Sequence, residues 1–307
     1  MTQLTAQEVL AHVQAGKTLK QAELSAIDLS GLDLEKGDFS EAYLRRATFT
    51  QAACQRVNFS GATLIMSTFE AANLQGATLV NAVLTHARFE GTDLGEIEAN
   101  GAKFYGAFFK DAKGENAFLD EADFREATGS GFCFDTVSAA SASFNRAEFV
   151  GASFAGANLV RSQWQKATLL KCAFVDANLE RATFTEANLS QADLSNANAI
   201  NADFRSANLS GASLAEAQFD WSHFVGAALT GANCKHAILF NTDFTGANLS
   251  QVNFSGANLQ EACLEKAQLD GAQFEESNVR GALFTDATGL SDEQRTWLKK
   301  HGALNVE

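Results

Sequence analysis

A large apolar residue recurs at every fifth position of this chain and constrains its fold more than any other feature. From Leu24 to Phe284 these positions have numbers ending in 4 or 9, which defines 53 consecutive blocks, and 44 of the 53 block centres are Leu or Phe. The residue two positions before the centre is Ala in 38 of the 53 blocks. Chance does not hold a register over so long a stretch, so the period reflects the fold.

A period of five fits neither an α-helix, with 3.6 residues per turn, nor an ordinary strand, with a period of two. It requires a chain that turns a corner once per block, with one large and one small side chain pointing inward. A narrow interior explains the small residue, because a second large side chain would overpack it. The remaining three positions are mostly polar or Gly, as expected for solvated walls with corner turns. The chain has no proline, which fits a stacked backbone that needs its N–H donors.

These blocks resemble the pentapeptide-repeat family, whose pattern is A(D/N)LXX. Runs such as Ala187-Asn188-Leu189-Ser190 and Ala257-Asn258-Leu259-Gln260 carry the resemblance, which covers residues 19–287. It implies an all-β solenoid, a right-handed quadrilateral β-helix with four blocks per coil. The blocks would then make about 13 coils, and at about 4.8 Å per stacked strand the rod would be about 63 Å long.

Columns sampled every 20 residues support four faces independently. One column is Leu from Leu24 to Leu84 and then aromatic from Phe104 to Phe244, and the next is Phe at positions 49 to 109 and Leu at positions 169 to 269. Similar side chains stacked at one spacing give the regular packing that a solenoid needs.

Both ends of the repeat are predicted to carry a capping helix, because exposed solenoid ends are sticky edges. Thr5-Ala6-Gln7-Glu8 and Ser291-Asp292-Glu293-Gln294 read as capping boxes, which predict short helices over 6–15 and 292–301. The expected domains are an N-terminal helical cap (1–18), the β-helix (19–287) and a C-terminal helical cap (288–307). Trp297 is expected to plug the last coil. The alternative is that it forms a dimer contact, since family members pair through their C-terminal ends, so we expect a monomer or an end-to-end dimer.

Four block centres between residues 95 and 140 are too small to fill the interior. Ile97 and Val137 replace the usual small residue beside two of them, Phe132 is expected to fill the space at Gly114, and Gly129 has no evident compensation. One interpretation is local repacking without a role, and the other is a bend or bulge that shapes a partner surface. The four centres are Ala99, Gly114, Gly129 and Ala139.

Composition and charge limit the classes of partner that the chain could bind and the cellular compartment in which it is expected. The net charge of −14 and the pI near 4.8 disfavour direct binding to nucleic acid or to anionic membranes. No stretch approaches the roughly 20 apolar residues that span a bilayer, and the first residues do not resemble a signal peptide. Five scattered cysteines without a CxxC pair fit a reducing compartment. We therefore expect a cytoplasmic protein.

No catalytic centre is expected. Catalysis needs a nucleophile, a base and a stabilising group in a concave site, and a filled solenoid offers none. Histidines are spread along the chain, and no Gly-rich loop could cradle a phosphate. Cys54, Cys172 and Cys234 occupy interior positions, whereas Cys133 and Cys263 occupy walls. The sequence predicts no enzyme, no cofactor and no metal site.

Outward-facing apolar side chains mark a candidate docking site for a protein partner of unknown identity. Tyr43, Ile65, Val83 and Tyr105 should point outward from one face on consecutive coils, at steps of about 4.8 Å. Contiguous exposed apolar residues often mark partner sites, although scattered surface apolar residues without a role are the alternative. A looser group, Ile200, Ile238 and Phe240, lies on another predicted face.

The sequence therefore favours a non-enzymatic, bacterial, protein-binding rod over two alternatives. The first is a DNA mimic that modulates DNA gyrase, as in the quinolone-resistance type of the same family. DNA of the same length carries about 37 charges, against a net charge of −14 here, which weakens the analogy. The second is an accessory or adaptor protein of a bacterial type VI secretion system, suggested by the resemblance of the N-terminal region, including Gly16-Lys17 and residues 27–34, to repeat proteins beside such genes.

Overall fold

Parallel β-bridges between residues 20 positions apart build the fold. The computed structural model describes residues 4–307, which form two compact units, one that ends at Asn158 and the other Leu159–Glu307. In the first unit, four parallel ladders run side by side, and the second unit repeats this spacing, for example between Thr183 and Asp203. The prediction of four blocks per coil is confirmed. We number the faces of the first unit by their ladders: face 1 contains Tyr43–Thr63–Val83, face 2 Thr48–Thr68–Arg88, face 3 Ala53–Asn73–Asp93 and face 4 Asn58–Thr78–Glu98.

Backbone hydrogen bonds explain why each block has five residues. In the block centred on Leu44, the N–H of Leu44 donates to the carbonyl of Thr63 (2.8 Å) and the N–H of Arg46 donates to that of Ile65 (2.8 Å). The N–H of Tyr43 donates in the opposite direction along the stack, to the carbonyl of Ala22 (2.9 Å). A turn bond from the next small residue back to the centre closes the corner. Four of the five donors in a block are thereby paired.

The fifth donor, the N–H that follows the centre, explains the Asp or Asn of the repeat pattern. Ser210 donates its N–H to Asn208 Oδ1 (3.0 Å), and Glu35 does the same with Asp33 Oδ1 (3.1 Å). Asp and Asn side chains commonly accept a backbone N–H two residues on. The pattern therefore supplies an acceptor to the one donor that neither ladder nor turn can satisfy.

The corner residue, two positions after each centre, adopts a left-handed backbone. Its φ is 59° at Arg46 and 54° at Trp221. This conformation costs a non-glycine residue roughly 1–2 kcal/mol, and the ladders on either side enforce it. Corners therefore accept large side chains and direct them toward solvent.

Stacked side chains fill the interior of each unit. In the second unit Phe204 lies between Phe184 and Phe224, with ring centroids 4.9 and 4.8 Å away and nearly parallel rings. The Ala residues two positions before the centres are buried with them, for example Ala202. The predicted division into large centres and small partners is confirmed.

Aromatic rings compensate for the small centres between residues 95 and 140, but not in the predicted pairing. A Cβ atom at Gly114 would lie 2.5 Å from Cε1 of Phe134, so Phe134 from the next coil fills this space and the expectation for Phe132 was wrong. Phe132 instead lies beside Gly129, 3.1 Å from the position of a Cβ atom there. Two short strands, β1 (Thr128–Ser130) and β2 (Glu148–Val150), pair in this region.

The register of the same stretch excludes a β-bulge. Bridges such as Glu98 with Phe118 and Phe118 with Ser138 keep the 20-residue spacing throughout. A bulge would insert an extra residue into one strand and shift the pairing. The stretch between 95 and 140 thus keeps an unbroken register, and the expectation of a bulge was wrong, whereas the bend stays a prediction.

Two helices cap the ends of the chain close to the predicted bounds. Helix α1 is Ala6–Gln14 and helix α2 is Asp292–Lys300, and each begins with the predicted capping box. Val9 of α1 and Leu298 of α2 are fully buried. Trp297, the expected plug, is only partly buried and stacks on His301 at 4.0 Å. Leu298 takes the role assigned to Trp297. Among residues 4–307, no helix is long and apolar enough to cross a membrane.

Replacement of Gly114 with Ala tests the pairing of Gly114 with Phe134. The added methyl group collides with the Phe134 ring, and overpacking of this kind typically costs about 1–3 kcal/mol. We expect the denaturant midpoint of G114A to fall, and we expect G114A/F134L to regain part of the loss because leucine is smaller. G129A is the matched control: its Cβ contacts, at 3.1–3.2 Å, are milder. Equal midpoints for G114A and wild type would contradict the pairing.

Candidate protein-docking surface

The four candidate residues lie on face 1 of the first unit, in two columns. Tyr43 and Val83 occupy the ladder position, with Thr63 between them. Ile65 and Tyr105 occupy the position after the centre, which is separated from the ladder position by the buried centre. Tyr43 is 47% exposed, and the other three side chains are partly exposed. The candidates therefore form a zigzag strip over four coils, about 14 Å between the first and last steps.

Met66 extends this strip and was missed by the sequence reasoning. It follows Ile65 at a corner and is 42% exposed. Its N–H donates to the carbonyl of Thr85 (2.9 Å), which fixes the corner between neighbouring coils. The sequence reasoning expected small or polar residues at corners. Met66 was found only from the structure, where its left-handed backbone (φ 57°) directs the side chain outward. We call Tyr43, Ile65, Met66, Val83 and Tyr105 the apolar strip.

Tyr105 is oriented by charged neighbours. Its hydroxyl group donates a hydrogen bond to the carboxylate of Glu126, which raises the pKa of Tyr105. The guanidinium of Arg125 lies 6.0 Å from the ring centroid, and the ring of His86 meets it edge-on at 5.7 Å. The ring is thereby held at one end of the strip, whereas Tyr43 is more exposed at the other end.

The wall side chains of face 1 are net positive although the chain as a whole is strongly acidic. Faces 2, 3 and 4 of the first unit all carry more acidic than basic side chains; face 4, for instance, has one lysine against five carboxylates. Because the other faces are negative, an approaching anion is attracted to this positive face rather than to them. The basic side chains on face 1 are Arg45, Arg46, Lys103, Arg125 and Arg146, and the acidic ones are Glu23, Asp123 and Glu126.

Three of these cations form no salt bridge within the described chain, although Lys103 interacts electrostatically with Asp123 on the next coil. Arg125 binds Asp123 through two hydrogen bonds, of 2.8 and 2.7 Å, and Arg146 lies 3.8 Å from Glu126. Partial burial of Asp123 works toward a higher pKa, but the hydrogen bonds from Arg125 outweigh it and the pKa is lowered. In contrast, the exposed side chains of Arg45, Arg46 and Lys103 form no salt bridge among residues 4–307. The positive charges of these three side chains around the apolar strip are thus not neutralised by salt bridges within residues 4–307.

Backbone donors along the strip are open as well. The ladder position of face 1 lacks Asp or Asn on four successive coils, so the acceptor provided elsewhere by the repeat pattern is missing. The N–H groups that follow the centres on these coils make no hydrogen bond with any described residue. The residues at the ladder position are Tyr43, Thr63, Val83 and Lys103, and the donors are those of Arg45, Ile65, Thr85 and Tyr105.

A second apolar group lies on the second unit. Ile238 is 37% exposed, and Ile200 and Phe240 are partly exposed. Trp221, which the sequence reasoning missed because it is at a corner, is 44% exposed and meets the Phe240 ring edge-on at 5.6 Å. Burial raises the pKa of the neighbouring Asp220.

An open groove of about 770 Å³ lies on the first unit, in contrast to the expectation of a surface without clefts. Phe118, which is 51% exposed, lies along it with Glu96 and Glu98. Arg56 donates to the carboxylate of Glu35 in the same groove and lowers the pKa of Glu35. The lining has no Ser, Cys or His side chain, so it brings no nucleophile next to a base.

The cysteines and metal-binding residue types are dispersed. Across residues 4–307, no three His, Cys, Asp or Glu side chains are arranged to hold a metal ion. Cys54, Cys172 and Cys234 are buried and Cys133 and Cys263 are partly exposed, as predicted. Burial raises the pKa of Cys54 and of Cys234 to about 12, and raises that of Cys133 to about 11.

Thiol modification measures the difference in reactivity between the buried and the partly exposed cysteines. At pH 8 the raised pKa and the burial make the thiolates of Cys54 and Cys234 roughly a thousandfold rarer than that of an ordinary cysteine. We expect iodoacetamide to modify Cys263 in the native protein, Cys133 more slowly and the buried cysteines only after unfolding in guanidinium, as read by mass spectrometry. Modification of Cys54 at the rate of Cys263 would show that the interior is open.

Comparison with known families and proteins gives consistent matches. A family model described as "Pentapeptide repeat region" matches residues 147–224 and 217–289. A second model, "Pentapeptide repeats (8 copies)", matches residues 27–65 and 67–97. A search of curated proteins finds no match.

Several solved structures are similar to the chain. HetL, a pentapeptide-repeat protein involved in heterocyst differentiation regulation in Nostoc sp. strain PCC 7120, is 25% identical; the alignment covers 92% of this chain and 96% of HetL, with a TM-score of 0.30. QnrB1, a plasmid-mediated fluoroquinolone resistance protein, is 18% identical over 62% of this chain and 90% of its own, with a TM-score of 0.19. A protein of the Arabidopsis thaliana thylakoid lumen is 35% identical over 41% of this chain and 78% of its own, with a TM-score of 0.15.

Proposed function

Because this chain belongs to the pentapeptide-repeat family, whose fold is a right-handed quadrilateral β-helix, we propose that it is a non-enzymatic scaffold that binds a protein partner through face 1 of its first unit. The interior of this fold is filled by its own side chains, so only walls, corners and ends are available for binding. One observation supports the choice of face 1 above the others: its exposed apolar side chains lie among cations that form no salt bridge within residues 4–307.

The apolar strip has the composition of a binding hot spot. Interfaces are enriched in Tyr, Met and Arg relative to the rest of a protein surface, and hot spots are enriched in Tyr and Arg. Tyr43, Met66 and Arg45 provide these types within neighbouring coils. A rigid wall also limits the entropy lost on binding, because its backbone is already ordered.

Mimicry of DNA is the weaker proposal. A mimic needs dense negative charge around its surface, since DNA carries one charge per roughly 1.7 Å. The net positive wall of face 1 interrupts any such pattern. No feature of the described residues specifically favours gyrase or a secretion system as the partner.

The C-terminal end remains the proposed site of self-association. Trp297 is partly exposed on α2, and Leu304 is 50% exposed where the tail pairs with Leu283. Exposed apolar side chains on a helical cap can support a two-fold contact between copies. This proposal is separate from docking on face 1.

Substitution of both tyrosines tests the docking surface. We expect Y43S/Y105S to reduce capture of the main partner from an extract of the source organism at least about tenfold, because truncating two aromatic anchors removes on the order of 2 kcal/mol or more. Quantitative mass spectrometry of captured proteins gives the measurement. W221S, which removes an exposed aromatic ring from the second unit, is the matched control and should capture as wild type does. Equal capture by all three proteins would reject face 1 as the docking surface.

A further inference from the structure

The chemistry of face 1 specifies a class of partner. We infer that the apolar strip receives an acidic protein segment that also bears apolar side chains, an inference that rests on the proposed docking function. Two kinds of open positive group, side-chain cations and backbone N–H donors, surround the strip and point to carboxylates as their complement.

The cations lie at both ends of the central apolar residues. Arg45 and Arg46 lie one coil before Ile65 and Met66, and Lys103 lies one coil after Val83 on the same ladder. All three cationic side chains are exposed and form no salt bridge within residues 4–307. A segment with carboxylates on either side of a short apolar stretch would pair with both ends while covering the middle.

The open backbone donors add a second attraction for the same groups. The N–H groups of Arg45, Ile65, Thr85 and Tyr105 follow one another at coil spacing and lack acceptors in the described chain. Carboxylates accept such bonds with charge assistance, which makes them roughly twice as strong as neutral ones. These donors are independent of the arginine side chains, because they result from the missing Asp or Asn at the ladder position.

Acidic residues limit the strip at both ends. Glu23 lies one coil before Tyr43 on the ladder, and Asp123 and Glu126 lie one coil beyond Lys103 and Tyr105. The carboxylates of Asp123 and Glu126 are already paired with Arg125 and Arg146. An acidic segment is therefore attracted mainly between residues 43 and 103, because the face is negative at Glu23 and already neutralised at Asp123 and Glu126.

A peptide fits these features better than a nucleic acid does. Three open cations are few for a phosphate backbone, and the remaining surface of a chain with net charge −14 repels an extended polyanion. Ile65, Met66 and Val83 offer apolar surface that phosphates would leave uncovered. The partner we infer is consequently a protein segment that carries both acidic and apolar side chains.

Fluorescence anisotropy with defined peptides tests the inference. The probes are labelled short peptides of alternating Glu and Leu, of alternating Lys and Leu, and of alternating Glu and Ser, together with single-stranded oligothymidylate. We expect the Glu–Leu peptide to bind the full chain at least about tenfold more tightly than the other probes. Binding should weaken as ionic strength rises from about 0.1 M to about 1 M, where the Debye length falls to about 3 Å. Tighter binding of the Lys–Leu peptide or of oligothymidylate would overturn the inference.

Charge reversal on face 1 provides the matched variants. R45E/R46E should lose at least about tenfold in affinity for the Glu–Leu peptide, because attraction becomes repulsion. R161E/R181E, on the second unit, changes the net charge equally, and its two residues are corner residues like Arg46, with φ of 58° and 57°. This control should stay within about twofold of wild type, and circular dichroism should show both variants folded. An equal loss in both variants would mean a non-specific charge effect and would refute the inference.

Native capture separates failure of the inference from failure of the docking function. If Y43S/Y105S loses the partner and R45E/R46E keeps it, face 1 is the docking surface and the acidic partner is wrong. If both variants keep it, both proposals are wrong. If R45E/R46E loses it and R161E/R181E does not, the acidic partner is supported.

Discussion

The rest of this structure depends on how one backbone N–H in every block, the one that follows the centre, finds a hydrogen-bond acceptor. Ladders take three donors of each block and the corner turn takes a fourth, as the block of Leu44 illustrates. An unpaired backbone group in a buried position costs free energy comparable to a lost hydrogen bond. The fifth donor must therefore find a side chain, water or a partner, and the residue before the centre decides which. Asn208 provides the side chain for Ser210, whereas Val83 cannot provide one for the N–H of Thr85.

Repetition made most of the fold predictable from the sequence. Residues at fixed spacing in the sequence indicate the five-residue period, the four-block coil and the capping boxes. Local sequence preferences and the overall architecture therefore agree. The errors fell where repetition stops. Phe132 and Phe134 are both large and belong to one block, and the sequence does not say which ring fills which gap. Trp297 and Leu298 are neighbours on α2, and only their packing shows that Leu298 is the buried one.

The candidate site was predictable in part for the same reason. Wall positions follow from the period, so the outward direction of Tyr43 and Val83 could be read from the sequence. Met66 and Trp221 could not be found in that way, because a corner was expected to favour Gly or a polar residue. The ladders impose the left-handed backbone on whatever residue occupies a corner, and large side chains there are directed outward. The charge of each face could have been summed once the 20-residue coil was assigned, but the open donors required the role of Asp and Asn to be understood.

Faces 1 and 2 of the first unit both depart from the repeat pattern at the ladder position, and their difference shows why only one is suited to binding. On face 2, Arg88 lies 2.8 Å from Glu70 and its guanidinium lies 5.2 Å from the centroid of Phe108, while Lys110 lies 2.9 Å from Glu90. These contacts satisfy the charges of face 2 within the fold. On face 1, Arg45 and Arg46 form no salt bridge with any residue that the structure describes, and apolar side chains separate them from Lys103. A side-chain acceptor is typically worth about 0.5–1.5 kcal/mol, so a wall that lacks acceptors on four successive coils gives up stability. The open charges and donors of face 1 recover that free energy when an acidic partner supplies the missing acceptors.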